Sequence, residues 1–191
     1  MSRAWLGGLC LAGLVGLASA ANPMPEPFDP AASTATFEVG LRLAGPVPGR
    51  FPHIEGELEP VDDGKQWRVQ VRADARELEL DGPDWMLRSM RSRNFLDVER
   101  HPQIRFTSEP FARGLLLSGG ELAGELQLRG LSRPVAFTLA RSDCARPGHD
   151  CDIHVLGEIS RRDFGMKSQR LWLRDAVGFD FRVRLHDVSA P

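Results

Sequence analysis

Apolar and polar residues alternate along most of this chain with a period of two. Phe37, Val39, Leu41 and Leu43 stand against Glu38, Gly40 and Arg42. Val69, Val71, Ala73 and Ala75 stand against Arg68, Gln70, Arg72 and Asp74. The same beat returns at Leu122, Gly124, Leu126 and Leu128, at Val135, Phe137 and Leu139, and at Ile153, Val155, Gly157 and Ile159. Its clearest run is Val177, Phe179, Phe181, Val183 and Leu185, interleaved with Gly178, Asp180, Arg182 and Arg184. Successive side chains of a strand point to opposite faces. Each stretch is therefore a strand with one oily and one charged face, the pattern of antiparallel sheet wetted on one side. Asp62-Asp63-Gly64, Ser118-Gly119-Gly120 and Arg129-Gly130 supply turns between them.

Such a sheet must cover its oily face, and only residues 83–94 read as helix. Curling into a barrel turns the apolar faces inward and removes free edges. The pattern predicts an all-β, antiparallel barrel of about eight strands, a size whose interior is either filled by side chains or holds one small ligand. Short strands at this spacing also suit a sandwich of two sheets.

The first residues do not belong to this pattern. Arg3, an apolar run over residues 5–17 and Ala18-Ser19-Ala20 make the three parts of a secretory signal peptide. The run is too short to span a bilayer, which takes about 20 apolar residues. Export with cleavage after Ala20 is expected, leaving 171 of the 191 residues. Residues 21–33 hold four prolines and no periodicity, and read as an extended leader outside regular packing. Residues 34–189 are then a single barrel domain, ample for a core.

Charge and cysteine content narrow the function classes. The formal charge is −2, with Lys65 and Lys167 as the only lysines, so nothing electrostatic invites nucleic acid. With Cys10 inside the signal peptide, Cys144 and Cys151 remain, and an even pair in an exported chain reads as a disulfide across the turn-rich loop 145–150. Those two sulfurs with His149 and His154 match no established zinc spacing. No metal, cofactor or catalytic set is expected: the five histidines are scattered, and no serine sits in a nucleophile motif. Asp163-Phe164-Gly165 lacks the companions of a kinase site. Arg161 and Asp163 stand two apart, as a pair pinning a strand end would.

The most informative stretch is MRSRNFLDVERHPQIRF, residues 90–106, where a helix end passes through Phe95-Leu96 straight into the alternating Ile104 and Phe106. It carries part of a resemblance. Met90 to Val98, then Pro102, Ile104 and Phe106, is similar to the L-R-S-x-D-F-F-D-V…P-x-I-x-F signature of the YceI-like family. Phe37-x-Val39 resembles that family's opening strand, and Gly49-Arg50-Phe51-Pro52-His53-Ile54-Glu55-Gly56 its G-x-F-x-x-F-x-G stretch. Gly124-Glu125-Leu126 through Gly130 to Arg133-Pro134-Val135, and Ser160-Arg161-Arg162-Asp163-Phe164-Gly165, resemble two further motifs, G-x-L-T-I-x-G-x-T-x-P-V and N-R-S-D-F-G. The five fall in the family's order across residues 36–185. Two positions depart from it: Leu41 stands where a histidine is common, and Met86-Leu87 where an Arg-Asp pair opens the helix signature.

The resemblance implies an exported, lipocalin-like barrel that binds polyisoprenoid or other lipid chains. Its ligand would be a long-chain apolar molecule such as an isoprenoid, an isoprenoid quinone or a fatty-acid-like lipid. Phe37, Val39, Leu41, Phe51, Ile104, Phe106, Phe137, Phe164, Phe179 and Phe181 would form the wall, with Met90, Phe95 and Leu96 at one mouth. Transient contact with the envelope membrane fits such a carrier, and the oligomeric state is left open. Pattern alone favours Phe95 and Leu96 packing a solid core, and the resemblance reverses that order. An enzyme acting on a barrel-bound amphiphile, or an envelope docking module using Leu171-Trp172-Leu173, are the rival functions.

Overall fold

The alternating stretches are strands. In a computed structural model, residues 23–186 are described; the expected signal peptide and cleavage site, and residues 187–191, lie outside them. The elements run β1 (Glu26–Pro27), β2 (Thr34–Leu41), β3 (Val47–Phe51), β4 (Ile54–Val61), β5 (Gln66–Asp74), β6 (Glu79–Leu80), α1 (Asp84–Arg91), β7 (Gln103–Ser108), α2 (Leu115–Ser118), β8 (Gly120–Leu128), β9 (Leu131–Leu139), β10 (Ile153–Ser160) and β11 (Leu173–Val183). All eleven strands belong to one antiparallel sheet in the order β1-β4-β5-β7-β8-β9-β10-β11-β2-β3-β6. One continuous curled sheet replaces the two sheets of the sandwich alternative. It has eleven strands rather than about eight, two of them, β1 and β6, only two residues long.

The sequence pattern sets which face points in. On β8, Leu122, Gly124, Leu126 and Leu128 are buried while Glu121 and Glu125 are exposed. On β2, Ala35, Phe37 and Val39 are buried between exposed Thr34, Thr36 and Glu38. A one-residue slip would exchange these faces, so burial holds the register.

The leader expectation needs correction, because residues 26–33 are part of the shell. β1 pairs with β4, and the Phe28 N–H donates to the Gly56 carbonyl at 2.8 Å. On its other side Phe28 bridges Leu185, where the Asp29 N–H reaches the Arg184 carbonyl at 2.8 Å and the His186 N–H the Pro27 carbonyl at 2.9 Å. This segment is thus a short stave between β4 and the chain beyond β11, and it joins the two sides of the curled sheet at that end. Pro27 fits between them because it takes part through its carbonyl alone, and a proline has no N–H to donate. The signal for packing was Phe28, whose ring is buried against Gly56.

α1 carries Asp84 in its first turn and Arg88 and Arg91 in its last, each opposite in sign to the helix dipole there. It stops at Ser92, and the chain folds back on it. Leu96, Asp97 and Val98 donate to the carbonyls of Met90, Ser92 and Arg91, with Asp97 left-handed at φ 50°. This reversal turns Phe95, Leu96 and Val98 inward. Arg93 stays exposed, while Arg91 is half-buried and donates from Nη2 to the Leu78 carbonyl at 2.9 Å. At the opposite end, Cys144 and Cys151 form a disulfide around the loop that meets the chain beyond β11, where the Leu185 N–H donates to the Gly148 carbonyl.

Candidate functional site

The inward faces leave space between them. A cavity of about 150 Å³ lies inside the shell, with a wall of apolar side chains and a single charged one, Arg161. A buried water needs roughly 10–15 Å³ by such a measure, and close-packed cores have few voids larger than one water. This space holds about ten waters' worth, yet offers water almost no partners. An apolar space of that kind stays dry and takes apolar guests.

A belt of phenylalanine crosses the wall. Phe37 meets Phe51 at 5.3 Å between ring centroids and Phe179 at 6.4 Å. Phe179 stacks on Phe181 at 5.7 Å, and Phe137 joins Phe179, Phe181 and Phe106 at 6.4, 5.9 and 5.1 Å. Neighbouring strands make room for these rings with glycine. A methyl group on Gly157 would overlap the ring of Phe137, and one on Gly49 the ring of Phe37.

Of the expected site residues, Phe37, Val39, Phe51, Met90, Phe95, Leu96, Ile104, Phe106, Phe137, Phe179 and Phe181 all line this cavity. Leu41 and Phe164 do not. Val39 pairs with Val177 but Leu41 with Leu173, so four residues of β11 span two of β2. That irregularity ends the inward alternation and leaves Leu41 half-exposed. Phe164 is fully buried, but in a 3₁₀ turn (Arg161–Phe164) beyond the cavity wall.

The sequence reading missed Arg161, and its expected pairing with Asp163 is absent. Asp163 is exposed, whereas Arg161 is 1 % exposed. Arg161 donates from Nε to the Arg174 carbonyl at 3.0 Å, and from Nη1 to the carbonyls of Met166 and Ser168 at 2.6 and 2.8 Å. Its guanidinium lies 5.9 Å from the Phe95 ring centroid. Burial pushes its pKa down and Asp175 opposes this; a guanidinium nevertheless keeps its proton in proteins. The signal was in the parity: Ile153, Val155, Gly157 and Ile159 point inward, and Arg161 is next. Phe28, Ile54, Leu58 and Met166 are further wall residues that the alternation did not single out.

Among the described residues, no group of three His, Cys, Asp or Glu is placed to hold a metal ion, and Cys144 and Cys151 are bonded to each other. No described helix is long and apolar enough to cross a membrane.

A curled antiparallel sheet around a dry apolar cavity is the architecture of a lipocalin-like binding protein. The chain belongs to the YceI-like domain family, whose model matches residues 27–186. Among solved structures, BcnA of Burkholderia cenocepacia superposes with a TM-score of 0.65 at 17% identity, covering 82% of this chain and 98% of that one. A polyisoprenoid binding domain from Saccharophagus degradans, implicated in plant cell wall breakdown, gives 0.63 at 15% identity, covering 83% and 95%. The Campylobacter jejuni YceI protein gives 0.56 at 14% identity, covering 72% and 84%. At these identities the likeness is one of fold. No curated protein matches the sequence significantly.

Proposed function

We propose that this chain is an exported carrier that holds one long-chain apolar molecule inside its barrel and performs no chemistry on it. The carrying observation is the dry cavity of about 150 Å³ bounded by phenylalanine and aliphatic side chains. Each buried chain methylene contributes about 0.8 kcal/mol, so ten of them supply about 8 kcal/mol before the cost of ordering the chain. The wall therefore binds without a large polar network. Isoprenoids, isoprenoid quinones and fatty-acid-like lipids all offer such a chain, and the polyisoprenoid-binding relative supports that class. A chain much longer than ten carbons extends past the mouth beside Phe95 or widens the shell.

The same reading includes transient contact with the envelope membrane, at the end of the barrel near Arg161. Leu43, Leu171 and Trp172 are 84%, 82% and 60% exposed there. Their two loops are tied together by Arg42, whose N–H reaches the Trp172 carbonyl at 2.9 Å and whose Nε reaches the Arg170 carbonyl at 3.1 Å. Exposed Arg42, Lys167, Arg170 and Arg174 surround them. Apolar tips ringed by cations suit the surface of an anionic bilayer.

The test of the carrier is organic extraction of protein purified from its native envelope, followed by mass spectrometry. Wild type should release an apolar chain compound. Val71→Trp, which fills the cavity, should release little while circular dichroism stays β-rich; Arg182→Gln on the outer face should match wild type. Absence of any co-purifying amphiphile, together with apolar probes that bind neither wild type nor variant, overturns the reading.

A further inference from the structure

We infer that the molecule carried in the barrel ends in an oxyanion, a carboxylate or a phosphate, and that Arg161 receives this head at the end of the cavity beside Phe95. The inference rests on the carrier reading above and adds the chemistry of the ligand's polar end.

Arg161 is the one charged side chain lining an otherwise apolar cavity, and it is 1 % exposed. Its hydrogen bonds go from Nε and Nη1 to backbone carbonyls of Met166, Ser168 and Arg174. These acceptors are neutral. They explain how the chain from residue 165 to 174 is held, but they leave Nη2 buried with no partner. A guanidinium carries five donors in a planar fork, matched to carboxylate and phosphate.

Nor does a protein carboxylate touch it, although Asp175 favours its charge from a distance. Asp175 acts on it only through space: its Oδ2 accepts from Ser160 Oγ at 2.8 Å, and its Oδ1, 3.2 Å from Arg162 Nε, makes no hydrogen bond. Among the described residues no acid stands in ion-pair contact with Arg161. A buried cation with no ion-pair partner is costly, and a turn needs no charge to be pinned by carbonyls. A loop-holding role accounts for two nitrogens of the three; an arriving oxyanion accounts for the third and for the charge.

The arrangement also orients the guest. Arg161 follows Ile159 at the end of β10, next to the chain reversal at Phe95. With the head there, the tail runs along the belt of Phe179, Phe181 and Phe137 toward the stave end at Phe28.

The experiment compares dodecanoate, dodecyl phosphate, dodecanol and dodecane for binding to delipidated mature protein by calorimetry. Wild type should bind the two anions about ten- to a hundredfold more tightly than the alcohol, the range of a hydrogen bond to a charged group. Arg161→Met should bring that ratio close to one while dodecane binding is kept, and Arg161→Lys should restore part of it. Should Arg161→Met fail to fold, wild type alone decides: affinity for dodecanoate should fall as pH drops through the carboxylate's own titration, while that for dodecanol stays level. Equal binding of anions and alcohol by wild type overturns the oxyanion assignment and leaves the carrier intact. Binding of none of the four compounds overturns the carrier reading itself.

Discussion

Gly157 on β10 and Phe137 on β9 share one space on the inner wall: the ring lies where a side chain at 157 would begin. Phe137 in turn touches Phe106, Phe179 and Phe181, so this one glycine sets the position of the belt's central ring. Gly157→Ala is expected to destabilise the barrel by about 1–3 kcal/mol through overpacking and to lower lipid occupancy. Urea denaturation of Gly157→Ala, Phe137→Leu and the double variant checks the pairing. The double variant should recover part of the loss; strict additivity would show that the two residues do not share the space.

Phe28 is expected to hold the barrel's seam. Phe28→Ala should cost about 3–5 kcal/mol, the range for emptying a buried aromatic site. Hydrogen exchange should quicken at Asp29 and His186, whose amides bond across that seam. A loss below 1 kcal/mol with unchanged exchange there would show that the stave is dispensable.

The disulfide should stabilise without deciding the fold. Closing a loop of roughly eight residues contributes about 2.5 kcal/mol in the chain-entropy description. Cys144→Ser is therefore expected to lower the melting temperature and leave the β-rich circular dichroism unchanged. Two titratable thiols in freshly purified, unreduced protein would remove the bridge.

Sedimentation with vesicles checks the membrane contact. Wild type should pellet with vesicles containing phosphatidylglycerol, less so as salt rises, and Leu171→Ser with Trp172→Ser should abolish the association while ligand content stays the same. Equal pelleting with neutral and anionic vesicles would remove the charge argument, and no pelleting at all would remove the contact.

Much of this was legible in alternation, because a strand with one wet face writes its burial directly into the sequence. β2, β8 and β10 follow that rule, and eleven expected site residues line the cavity; β11, the cleanest run in the sequence, is half-buried along most of its length although Phe179 and Phe181 reach the cavity. Leu41 failed where β11 takes four residues to pass two of β2, an irregularity invisible to a count of twos. Phe164 failed because the strand had become a 3₁₀ turn. Arg161 was overlooked through its identity: a charged side chain at an inward position looks like the end of a pattern, although the parity carries straight to it. β1 was unreadable because a two-residue strand among prolines has no period at all. Its pairing is set by partners far away in sequence.

That distance governs how the molecule is built. Phe28 lies near the start of the described chain and Leu185 near its end, so the seam cannot form until almost the whole polypeptide has been made. Every other strand pair except β2 with β11 joins segments closer in sequence, and loop closure slows as contacts become less local. The barrel is therefore expected to assemble as an open sheet and to be shut late, by the segments around Phe28 and β2. During that interval its oily lining faces water, which is when it is most prone to aggregate and most accessible to an incoming lipid.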